Sequence, residues 1–125
     1  MYLTMRPTHK ELTNKIRKAI KAVIEGRVGI LDPVSLAAHA LELGYQINDF
    51  ASVLIDALQE VCPDNYIGYH PPQKSYEERI KNCELFVFNP FSRVLGCTIY
   101  LKFVIKEDFV WIVSLHDYRG KGKNQ

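Results

Sequence analysis

Apolar and polar side chains alternate along residues 97 to 105 and again along 109 to 116, and a period of two marks strands with one face on a core. On this pattern Cys97, Ile99, Leu101, Phe103 and Ile105 form one row, and Phe109, Trp111, Val113 and Leu115 form the row beside it. With Lys106, Glu107 and Asp108 as the turn, Ile105 falls opposite Phe109, Leu101 opposite Val113, Tyr100 opposite Ser114 and Thr98 opposite His116. A slip of one residue would turn half of the apolar set to water, so the pattern constrains the register. The other face then gathers Thr98, Tyr100, Lys102, Ser114 and His116, a set richer in chemistry than a merely solvated surface requires.

Upstream the period is helical. Thr8 followed by Glu11 has the spacing of a capping box, and Leu12, Ile16, Ala19, Ile20, Val23 and Ile24 recur on one face until Gly26, which predicts a helix over 9 to 25. Its other face carries Lys10, Arg17, Lys18 and Lys21. Asp32 and Pro33 start a second helix that Gly44 stops, and Asn48 opens a third along Phe50, Val53, Leu54, Ala57, Leu58 and Val61, ended by Pro63. Short strand candidates follow at 66 to 70 and 84 to 88, separated by a polar loop with a short helix around Tyr76 to Lys81. Helices first and strands later predict an α+β fold, with N-terminal helices packed on one face of a C-terminal antiparallel β-sheet and the other face left available.

The chain has 125 residues, 47% of them hydrophobic, with no repeat, linker or low-complexity run. One domain spanning 1 to 125 is expected, with a flexible basic tail at 119 to 125. A net charge of +2 does not mark a nucleic-acid binder, yet Lys and Arg crowd the first helix and the tail while Asp49, Asp56, Glu60 and Asp64 occupy a stretch without either. The charge is therefore lopsided. Three cysteines without a CxxC pair argue for a reducing compartment and against a disulfide framework. No apolar run is long enough to cross a bilayer, so a cytoplasmic protein without a membrane partner is expected. His9, His39, His70 and His116 lack zinc-ligand spacing; a site assembled from them in three dimensions stays open, but no metal or other cofactor is expected. The absence of a glycine-rich phosphate loop, a GxSxG elbow and an HExxH pair disfavours nucleotide hydrolases, serine esterases and zinc proteases.

The polar row suits RNA cleavage. That reaction uses the ribose 2′-hydroxyl as nucleophile and asks the protein for a base, an acid and cations around phosphorus. An imidazole such as His116 serves as acid or base near neutral pH. Lys102, Lys74 and Arg119 are candidates to hold phosphate, with Ser114 beside them, and Tyr100 to donate a hydrogen bond or stack on a base. Each has an ordinary reading too: Tyr100 as a cap on the sheet, Lys102 as a solubilising charge, His116 as a strand-end residue bonded to backbone. Tyr66, Tyr69, His70 and Tyr76 add aromatic and imidazole groups near the polar loop.

The stretch Gly96-Cys97-Thr98-Ile99-Tyr100-Leu101-Lys102, then Ile105 and Val113-Ser114-Leu115, resembles the end of the MqsR-like toxins of the RelE-type ribonuclease superfamily. Gly26-Arg27-Val28, Ala40-Leu41-Glu42-Leu43-Gly44 and Phe50 to Leu58 follow the family's order and spacing. The resemblance implies a RelE-like α+β endoribonuclease that cuts messenger RNA, ribosome-associated or free, and is neutralised by a cognate antitoxin protein. It puts Tyr100 at the family's catalytic tyrosine and His116 about where the family has a C-terminal lysine. The family's lysine after the third helix has no equivalent unless His70 or Lys74 substitutes for it, and its strand glutamine is missing from 83 to 88. Two other classes remain: a non-catalytic interaction module binding a protein or nucleic acid, and a small metabolic enzyme with its ligand between helices and sheet.

Overall fold

A computed structural model describes residues 8–69 and 71–118. Thr8 and Glu11 exchange reciprocal hydrogen bonds of 3.0 Å between side chain and backbone amide, and this capping box opens α1 (His9–Ile24). After β1 (Val28–Ile30), the Asp32 carboxylate accepts from the Ser35 amide at 3.1 Å to start α2 (Pro33–Leu43). Gly44 ends it at φ 87°, a left-handed turn that a side chain would strain. A 3-10 turn at Ile47–Asp49 leads into α3 (Phe50–Gln59). The chain then lays down β2 (Phe86–Phe88), β3 (Phe91–Ser92), β4 (Cys97–Lys106) and β5 (Phe109–Asp117).

The sheet order is β1-β5-β4-β2, with β3 also on β4; β1 runs parallel to β5 and the other pairings are antiparallel. The fold is α+β, with N-terminal helices and a C-terminal, mostly antiparallel sheet. Helix α1 packs on β4 and β5, α3 packs on α1, and α2 lies against β5. One apolar cluster joins Leu12, Leu54 and Leu58 from the helices to Phe88, Phe103 and Leu115 from the sheet, each burial worth about 1.5–3 kcal/mol before entropy is counted.

Several local expectations are corrected. Of 66 to 69, the described part of the strand candidate at 66 to 70, Tyr66 alone forms a bridge, to Phe88. The short helix expected around Tyr76 to Lys81 is a 3-10 turn at Glu78–Ile80. Ile24, placed on the apolar face, is exposed because α1 ends there. The expected tail at 119 to 125 lies outside the described residues.

The hairpin register also differs. Lys106 pairs with Phe109, so Glu107 and Asp108 alone make the turn, at φ 51° and 68°, the doubly left-handed form that matches strand twist. Ile105 therefore faces Val110 and Phe103 faces Ile112, while Leu101 faces Leu115. A one-residue shift between Lys102 and Phe103 leaves Val113 as the extra residue of a β-bulge. The buried row of β5 is thus Val110, Ile112 and Leu115, in place of Phe109, Trp111, Val113 and Leu115. The shorter turn flips the near half of β5, and the bulge flips it back.

Candidate functional site

That second flip sets Tyr100 directly opposite His116 and Lys102 opposite Ser114, instead of Tyr100 opposite Ser114 and Thr98 opposite His116. All four are half-buried on the face away from α1. The Tyr100 and His116 rings stack with centroids 4.9 Å apart and planes within 15°, a cross-strand aromatic pair in the offset arrangement such rings favour. Tyr118, whose amide donates to the Thr98 carbonyl at 2.9 Å, extends the ladder and stacks on Tyr100 at 6.4 Å. With its ring taken up by two neighbours, Tyr100 has its hydroxyl to offer. The Lys102 ammonium sits 5.8 Å from the Tyr100 ring centroid, in cation–π range.

His116 is oriented by its own backbone. Its Nδ1 lies 2.8 Å from the Asp117 carbonyl oxygen. A carbonyl only accepts, so Nδ1 carries a proton, and in the neutral form of the ring the lone pair is on Nε2. The His116 ring also meets that of His39, from α2, at 4.9 Å between centroids. β1 pairs with β5 only as far as Ile112, so α2 lies beside β5 where β1 has ended.

Around this pair the surface is hollowed. A cavity of about 220 Å³ is lined by Tyr100 and Lys102 together with Tyr69 and Gln73. It shares Gln73, Leu85 and Lys102 with a shallower one of about 350 Å³, whose rim carries Lys74 but also Glu77 and Glu78. A third, of about 150 Å³, lies between α2 and β5 and is lined by His39 and Ser114. The face is not bare throughout: toward the turn Val104 is fully buried and the Lys106 ammonium donates to the Arg79 carbonyl at 2.6 Å.

The basic face of α1 does not join this site. Lys18 and Lys21 line a cleft at the hairpin turn with Arg27, Glu25 and Asp108, on the order of 15 Å along the strands from Tyr100. There Arg27 bonds both the Glu25 carboxylate and the Asp108 carbonyl and holds the Glu25 carboxyl below its ordinary value.

No family model and no curated protein matches this chain.

Of the residues singled out from sequence, Tyr100, His116, Lys102 and Ser114 are brought together, and Lys74 stands at the rim of a cavity that Lys102 shares. His70 and Arg119 lie outside the described residues. Among the described residues no group of His, Cys, Asp and Glu is arranged to hold a metal ion, and no helix is long and apolar enough to cross a membrane. Sequence reasoning missed His39, Tyr118 and Gln73. His39 had a signal: at helical spacing from Leu36 it falls on the packed face of α2, where an imidazole is out of place unless it meets a polar partner.

Proposed function

We propose that the chain is a toxin-like, cytoplasmic endoribonuclease that cleaves messenger RNA by metal-independent general acid–base catalysis, as the resemblance to MqsR-like toxins implies. The observation that carries the reading is the His116 ring, its Nδ1 turned to the Asp117 carbonyl and its face stacked on Tyr100. In this scheme Nε2 takes the proton of a ribose 2′-hydroxyl as the 2′-oxygen bonds to the adjacent phosphorus. The Tyr100 hydroxyl donates to a non-bridging oxygen, and the Lys102 ammonium offsets the charge growing there. His39, protonated at the start of the cycle, gives its proton to the departing 5′-oxygen as the P–O5′ bond breaks. The products are a 2′,3′-cyclic phosphate and a 5′-hydroxyl end. Lys74 fits as a second contact for the RNA backbone, and a cognate antitoxin covering this face is the partner the toxin reading brings with it.

The test is cleavage of a fluorescent RNA in EDTA. The wild-type protein should leave cyclic-phosphate ends, His116→Ala should be slower by about a hundredfold or more, and Tyr100→Phe, which keeps the ring stack, by about tenfold. RNA left intact by the wild-type protein ends the proposal. The competing reading, a non-catalytic interaction module, is favoured by Val34 and Leu41, which stand 81% and 82% exposed on α2 and suit a protein partner. On that reading His116→Ala changes no RNA assay.

A further inference from the structure

The hollow beside Tyr100 and Lys102 has features that proton transfer does not use. Apolar Ile67, Leu85 and Val87 line it together with Tyr69, which is 66% exposed, and Gln73. At about 220 Å³ it lies below the ~300–1,000 Å³ of pockets that take a drug-sized ligand, which favours a single planar ring system over a whole nucleotide. Tyr69 is held by its own loop. The Tyr66 hydroxyl donates to the Tyr69 carbonyl at 2.6 Å, and a Cβ on Gly68 would come within 2.6 Å of that hydroxyl, so only glycine lets the loop lie this close. Gln73 is anchored through its backbone carbonyl, which accepts from the Leu85 amide at 2.8 Å, leaving its side-chain amide to act as donor and acceptor at once.

We infer that this hollow is a nucleobase subsite: the base stacks on Tyr69 beside the apolar side chains of the lining, Gln73 reads its hydrogen-bonding edge, and Lys102 meets the attached phosphate on the side toward His116. The assignment rests on the ribonuclease reading and supplies its sequence selectivity, since stacking accepts any base whereas a side-chain amide distinguishes donor from acceptor edges.

The experiment titrates the ¹⁵N-labelled chain with AMP, CMP, GMP, UMP and inorganic phosphate. The nucleotides should shift the amides of Gly68, Tyr69 and Gln73 where phosphate alone does not, with one base favoured over the weakest by about tenfold. Tyr69→Ala should weaken all four by about tenfold, and Gln73→Ala should level the differences among them. Phosphate producing the same shifts, or nucleotides shifting only residues elsewhere, overturns the subsite. The two readings fail separately. If RNA is cut in a His116-dependent way but Gln73→Ala leaves base preference unchanged and Tyr69→Ala leaves nucleotide binding unchanged, the subsite falls and the nuclease stands. If nucleotides bind here selectively and RNA is never cut, the nuclease falls and the subsite stands.

Discussion

The two halves of the β4–β5 hairpin share one helix-covered core face and differ on the other. Toward the turn, the second face is filled with Val104 and Trp111. The Trp111 indole lies so close on β1 that a Cβ at Gly29 would come within 2.5 Å of it. Beyond Val113 the same face carries Tyr100, Lys102, Ser114 and His116, with cavities alongside. The first half is packed over and the second is bordered by cavities, and one extra residue separates them. A bulge re-aims side chains without disturbing the core row, which explains how Leu115 stays buried while His116 comes opposite Tyr100.

Leu115→Ala should have the largest effect. It opens a cavity in the core row that resumes beyond the bulge, at a cost on the order of 3 kcal/mol, while His116 stays opposite Tyr100. Denaturant unfolding reads the loss; unchanged stability would break the comparison. Gly29→Ala should sharpen it, destabilising the chain by about 1–3 kcal/mol through the Trp111 clash, while cleavage per folded molecule stays at the wild-type level. Asp108→Gly should stabilise by about 1 kcal/mol in thermal unfolding, because Asp108 holds φ 68° and Arg27 bonds its carbonyl, which glycine keeps.

The smallest effect concerns a residue outside both halves. The Tyr45 hydroxyl is buried with no hydrogen-bond partner among the described residues, and burial raises its pKa. Tyr45→Phe should therefore change stability by less than about 1 kcal/mol at neutral pH, in the stabilising direction. The unfolded chain gives up this proton first, near the ordinary tyrosine value of about 10, so wild-type stability should fall as pH rises past it, and the variant should fall less. Urea midpoints between pH 8 and about 11 read the difference.

Helices α1 and α2 were legible because their ends are written in local chemistry: Thr8 with Glu11, Asp32 with Pro33, and Gly44. The membership of the polar face was legible too, because Tyr100 and His116 sit at the right parity beyond the bulge. The pairing was not. Phe109 to Val113 is apolar throughout, so its phase is ambiguous, and Glu107-Asp108 lacks the glycine or asparagine that announces a two-residue turn. Strand β1 escaped notice because Gly29 interrupts three residues, and the reason for that glycine is a tryptophan far along the chain. His39 meets His116 only through tertiary packing.

The claim on which the rest depends is that the bulge stacks Tyr100 on His116 and leaves Nε2 of the imidazole open. Nuclear magnetic resonance of the histidine ring nitrogens, with ring-to-ring cross-relaxation, addresses it directly. We expect His116 at neutral ring charge to be the Nδ1-protonated tautomer, with contacts from its carbon-bound protons to the Tyr100 ring. A ring protonated at Nε2 instead, or a His116 whose contacts run to Leu101 and Ile112, contradicts it.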